Sequence, residues 1–158
     1  MDSPLTAMTA AALPVLMVWA AAVDIFTRAI PNRVVLALAA GFALFTAAAQ
    51  MPLSQISLHL LCAAAVLALG FLLYSRSLFG GGDAKLLSVA ALWFGFNSLL
   101  PFLAATALAG GALSLFTLAA GTAGAQFGLI AAPSRTIPYG AAIATGALAV
   151  FPDWLLAF

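Results

Sequence analysis

Apolar runs of membrane-crossing length alternate with short clusters of polar and charged residues along this chain. Leu5 to Val23 carries no charge over about 19 residues, enough at 1.5 Å per residue to cross a bilayer core of roughly 30 Å as a helix. Asp24 to Arg33 breaks the run with three charges and the helix-stopping pair Pro31-Asn32. Val34 to Ala49 then resumes as a second apolar stretch, and Ile56 to Tyr74 forms a third after the turn-like Gln50 to Gln55. From Leu86 to Ala120 the chain is apolar for about 35 residues; one helix of that length would measure roughly 52 Å and overshoot the membrane. Two spans are therefore predicted there, broken at Gly95-Phe96-Asn97-Ser98 with Pro101 just beyond: a short one over about Lys85 to Phe96 and another over Leu99 to Ala119. Gly121 to Ile137 reads as a Gly- and Ala-rich connection without a defined element, and a sixth span follows over Pro138 to Phe151.

The charges test this map, because cytoplasmic loops of membrane proteins carry an excess of Lys and Arg. Arg28 and Arg33 fall between spans one and two, Arg76 and Lys85 between three and four, and Arg135 between five and six. In an up-and-down arrangement of six helices those three loops share one side, while Asp2, the short turns and Asp153 occupy the other. The expected fold is thus an all-α integral membrane protein of about six transmembrane helices with both termini non-cytoplasmic.

Composition agrees. At 66% hydrophobic and 6% charged residues, the chain has too little polar surface to cover a water-soluble core. Its 158 residues predict a single domain over 1–158. The start Met1-Asp2-Ser3-Pro4 lacks the positive region of a cleavable signal peptide, so the first span is expected to stay. Net charge +1 and the lack of a basic run argue against nucleic acid as a partner. The lone Cys62 excludes an intramolecular disulfide and a cysteine zinc cluster and reads as a small packing residue. No metal or cofactor is expected.

Ionisable residues at membrane depth cost several kcal/mol unless paired or hydrated, which makes each a functional suspect. Asp24 and Asp83 are the acids at the membrane boundary on the predicted cytoplasmic side, Asp24 ending the first span and Asp83 following Gly80-Gly81-Gly82. Glycines permit close backbone approach and positive φ, one way for a loop to bring one carboxylate beside another. Two carboxylates a few Å apart cannot both ionise easily and share a proton; one then serves as base toward a water and the other as acid toward a peptide carbonyl or leaving amine. The plainer alternative makes both acids ordinary loop charges paired with Arg28, Arg33 or Lys85, and charge and spacing alone leave both readings open.

The local sequences add to this. Asp24 followed by Ile30-Pro31-Asn32, then Gly80-Gly81-Gly82-Asp83-Ala84-Lys85, then Arg135 with Ile137-Pro138-Tyr139-Gly140, resemble in order three motifs of the type IV prepilin leader peptidases, a family of GxGD aspartic proteases. The resemblance implies cleavage of leaders from prepilins or pseudopilins at the cytoplasmic face of the bacterial inner membrane, with Asp24 and Asp83 as the catalytic pair and no metal. Gly80, Gly82, Lys85, Pro31, Asn32, Pro138 and Gly140 match supporting motif positions. Long members of that family carry a cysteine-paired cytoplasmic insert associated with methylation; here the first loop is about ten residues with no such pair, so the chain is similar to the short, peptidase-only branch serving tight-adherence pili.

Other polar residues have blander readings. Arg28, Arg33, Arg76 and Arg135 fit topology alone, and Lys85 either topology or the second motif. His59 has no second ligand beside it and is expected in an interhelical hydrogen bond. Gly110, Gly111 and Ser114 suit close helix packing in lipid, and Trp19, Trp93 and Trp154 suit interfacial or packing positions. Two other functions stay open: a presenilin-type protease, disfavoured by Val23 before Asp24 and by Ile137-Pro138-Tyr139-Gly140, and a small transporter or assembly subunit using the two acids to bind protons or cations.

Overall fold

A computed structural model describes residues 4–126 and 138–156, with side chains omitted for 120–126. Every regular element among the described residues is a helix: α1 Pro4–Ala10, α2 Ala12–Thr27, α3 Asn32–Ala48, α4 Leu53–Ser75, α5 Gly81–Gln126 and α6 Tyr139–Leu156. Pro31 and Pro52 stand immediately ahead of α3 and α4 with extended backbone (ψ 139° and 147°), where a residue without an N–H costs no helical hydrogen bond. Arg28 ends α2 in the left-handed region (φ 54°) and donates its N–H to the Asp24 carbonyl, so the chain turns sharply just after Asp24.

Among the described residues four helices are long and apolar enough to cross a membrane: α1 with α2 (Pro4–Thr27), α4, α5 and α6; α3 is apolar but shorter. Such helices fit a membrane protein. α5 bends at Gly95, whose φ of 59° and ψ of −172° belong to no helix and are open chiefly to glycine. The bend is a reversal. Phe94 and Phe102 stack with centroids 4.9 Å apart, whereas eight residues of straight helix would separate them by roughly 12 Å. Leu99 likewise packs back on Cys62, Val66 and Ala91. The predicted break therefore falls at Gly95, and the stretch before it gains length by starting at Gly81 instead of near Lys85.

Cross-chain contacts fix the remaining directions. α4 runs antiparallel to the first part of α5, through Ser88 Oγ to Ala63 O (2.9 Å) and His59 Nδ1 with Leu92 O (2.7 Å). The second part of α5 runs antiparallel to α6, where Gly110 faces Tyr139 and Ala142 and Gly146 lies on Thr106. α3 and the start of α5 run parallel, tied by Lys85 to Asn32 at one end and Trp93 Nε1 to Leu38 O (3.0 Å) further along. The end of α2, the starts of α3, α5 and α6, and the end of α4 consequently gather at one end of the bundle.

The aromatic part of the core sits toward the opposite end. Trp93, fully buried, packs with Phe42, Phe45 and Trp154 at centroid distances of 5.6–6.1 Å. In lipid such interlocking supplies the attraction between helices, because the tails outside are as apolar as the side chains. Cys62 is buried in its small cluster, as its apolar surroundings predict, and Trp19 alone of the three tryptophans is exposed.

Candidate functional site

Asp24 lies in the last turn of α2, one helical turn before the left-handed residue that stops the helix. Its face of α2 carries Leu13, Met17 and Ala20 into the core, and the same i, i+3, i+4 spacing turns Asp24 inward. The result is a carboxylate only 5% exposed whose Oδ2 has no hydrogen-bond partner among the described residues. Such an atom is costly to leave unsatisfied in a merely structural setting.

Gly140, in the first turn of α6, forms one wall of its surroundings. A Cβ there would stand 2.8 Å from Asp24 Oδ2 and 2.9 Å from Cγ, closer than nonbonded atoms sit. Pro138, buried, immediately precedes α6. Of the residues singled out from the sequence, Gly140 thus meets Asp24 by direct packing.

Asp83 occupies the first turn of α5, half-buried beside the fully exposed side of the loop. Asp83 thus lies at the same end of the bundle as Asp24, two acids 59 residues apart in sequence (83 − 24). The triple glycine serves close approach, not left-handed backbone: among described glycines only Gly95 has positive φ, and in this loop the left-handed residue is Ser77 (φ 57°). A Cβ on Gly80 would fall on Asp83 Oδ2, and one on Gly82 would press Ile30 Cβ at 3.3 Å. Lys85 extends to Asn32, donating to its side-chain carbonyl oxygen at 3.1 Å. Both tie the Asp83 turn to the segment holding Pro31 and Asn32.

Ile30, which opens the first motif with Pro31 and Asn32, backs the glycine turn. Sequence reading missed Phe79, which is half-buried and meets the Tyr139 ring with centroids 6.1 Å apart. Nothing in a single sequence distinguishes Phe79 from the other exposed apolar residues of that loop. Arg135 and Ile137 lie outside the described residues. His59 does make the expected interhelical hydrogen bond, and no group of three metal-ligating side chains occurs among the described residues. A cleft of about 530 Å³ lined by Gln55, His59, Gly95, Asn97, Ser98 and Trp154 among others opens at the opposite end of the bundle and contains no charged group.

One buried carboxylate and one half-buried one therefore stand beside a glycine-rich turn at this end of the bundle. A family model described as the type IV leader peptidase family matches residues 11–115, including Asp24, Pro31, Asn32, Gly80, Gly82, Asp83 and Lys85 and stopping short of Pro138 and Gly140. No curated protein and no solved structure matches the chain. With well over half of its 158 residues matched, the chain belongs to the type IV leader peptidase family.

Proposed function

We propose that this protein is an aspartic endopeptidase that removes the leader from a prepilin or pseudopilin at the cytoplasmic boundary of the bacterial inner membrane, with Asp24 and Asp83 as its catalytic pair. The observation that carries the proposal is the buried Asp24 carboxylate, with an unpartnered oxygen, at the same end of the bundle as Asp83 on its glycine turn. In the Michaelis complex the pair holds one proton between two acids. The ionised member takes a proton from water as that water attacks the scissile carbonyl and the protonated member donates its proton to the carbonyl oxygen; the proton taken from water then passes to the leaving amine as the C–N bond breaks, while the other carboxylate takes a proton back from the collapsing diol. The proton belongs to the coupled pair, and each turnover returns the pair to its starting state.

The same geometry supports a membrane placement. With α5 folded back at Gly95, the chain runs six times between the two ends, and Arg28, Arg33, Arg76 and Lys85 all lie at the aspartate end. We read this as six crossings, the aspartate end cytoplasmic and both termini on the other side. The chain forms one peptidase domain without a methyltransferase insert, its single cysteine being Cys62. The substrate presents an extended cleavage segment to the half-open Asp83 side, its own apolar helix remaining in the bilayer.

Purified protein in lipid, incubated with a pilin precursor, is the test. Leader release that is lost in Asp24→Asn and in Asp83→Asn, each folded as the parent, supports the proposal; normal processing by either variant rejects it.

A further inference from the structure

Each carboxylate of the pair is seated by a glycine from a different element: Asp24 by Gly140 at the start of α6, and Asp83 by Gly80 just ahead of α5. The residue before each of these glycines is aromatic, and the two rings, Phe79 and Tyr139, meet at 6.1 Å with an interplanar angle of 60°. That edge-tilted geometry is an attractive one for aromatic rings. It connects the seat of one acid directly to the seat of the other.

We propose that Phe79 and Tyr139 are positioning residues: their contact is a clasp that sets the reach of Asp83 toward Asp24. The inference rests on the reading that these acids form the catalytic pair. On its α3 side the Asp83 turn is already held by Gly82 against Ile30 and by Lys85 on Asn32. Asp24 is walled from the α6 side by Gly140, so the separation of the acids depends on how the glycine loop docks on α6. Ser77, Leu78 and Gly80 are exposed, and Phe79 is the half-buried residue among them, which makes its ring the loop's anchor on that side. Tyr139 is 38% exposed; the contact with Phe79 is between the rings, so the clasp needs nothing from the hydroxyl.

The test is a double-mutant cycle with Phe79→Ala, Tyr139→Ala, both together, and Tyr139→Phe, using the lipid-embedded protein and a pilin precursor. Each alanine variant is expected to lower kcat on the order of 10-fold with KM within about twofold, since small misplacements of reacting groups cost rate steeply. The double variant should be no worse than the poorer single one, because both remove the same contact, and Tyr139→Phe should retain the parent kcat. A second readout needs no substrate. All four acidic residues of the chain are aspartates, so carboxyl-labelled aspartate gives four side-chain resonances, assignable by Asn replacement. Phe79→Ala should move the Asp24 and Asp83 resonances and leave those of Asp2 and Asp153 in place. Additive losses in the cycle, a change in KM alone, a Tyr139→Phe variant as slow as Tyr139→Ala, or unmoved Asp24 and Asp83 resonances would each overturn the clasp. A parent protein that cleaves no precursor while those two resonances do move would sink the proteolytic reading and leave the clasp standing.

Discussion

Gly140→Ala adds one methyl group at the wall of the buried acid. That carbon would lie 2.8 Å from Asp24 Oδ2, 2.9 Å from Cγ and 3.0 Å from Cβ, against ordinary contact distances of about 3.5–4.0 Å between carbons. Relief requires a movement of roughly 0.5–1 Å by the carboxylate, by α6, or by both. Asp24 is buried on a helix whose other inward residues are fully enclosed, so its side chain has little room elsewhere. A displacement of that size in a reacting group costs on the order of 10²-fold in rate, and overpacking costs about 1–3 kcal/mol in stability. The assay is steady-state leader cleavage beside thermal unfolding in the same lipid. The control is Gly111→Ala, where a Cβ meets nothing within 4 Å and where replacing a helical glycine should raise stability by up to about 1 kcal/mol. Gly140→Ala is expected to lose kcat about 100-fold while remaining folded, and Gly111→Ala to keep it. A Gly140→Ala enzyme with parental kcat, or equal losses in both variants, would refute the packing of Gly140 on Asp24 as a determinant of activity.

Three further outcomes follow from the same structure. Gly146→Ala places a carbon on Thr106 Oγ1 and 2.7 Å from its backbone nitrogen; because backbone cannot swing aside, α5 and α6 should separate and stability fall by about 1–3 kcal/mol, read as a lowered Tm. His59→Ala removes the ring that packs on Gly95, stacks on Phe42 and hydrogen-bonds to Leu92 O, leaving a cavity and a bereft carbonyl at the reversal; about 2 kcal/mol should be lost, and an unchanged unfolding temperature would contradict that role. The pH profile of kcat/KM should be bell-shaped, falling on the acid side as the base takes a proton and on the alkaline side as the acid loses one; a profile with a single limb would argue against a pair.

What could be read from the sequence divides along physical lines. Helix positions followed from apolar run length, and the reversal in the long fourth run followed from the length limit of a bilayer, with Gly95 among the residues marked for it. The inward turn of Asp24 was within reach too, since its i−4 and i−7 neighbours Ala20 and Met17 are apolar. Tertiary partners were not. Gly140 on Asp24 and Phe79 on Tyr139 join residues more than 55 apart, and no local pattern encodes which faces meet. The triple glycine was marked for two properties, close approach and positive φ, and the first is the one used: Gly80 and Gly82 serve proximity, while the left-handed turn is taken by Ser77. Lys85, which had a charge partner among its alternatives, instead spans to Asn32, a contact that needs the parallel packing of α3 and α5 to exist.

Replacement of each acid by its amide tests the central claim most directly, because Asp→Asn keeps shape and removes only the ability to exchange a proton. Leader release from a pilin precursor, measured with parent, Asp24→Asn and Asp83→Asn proteins of matched fold in the same lipid, should fall to background in both variants. Cleavage at the parental rate by either one would contradict a shared acid/base role for Asp24 and Asp83.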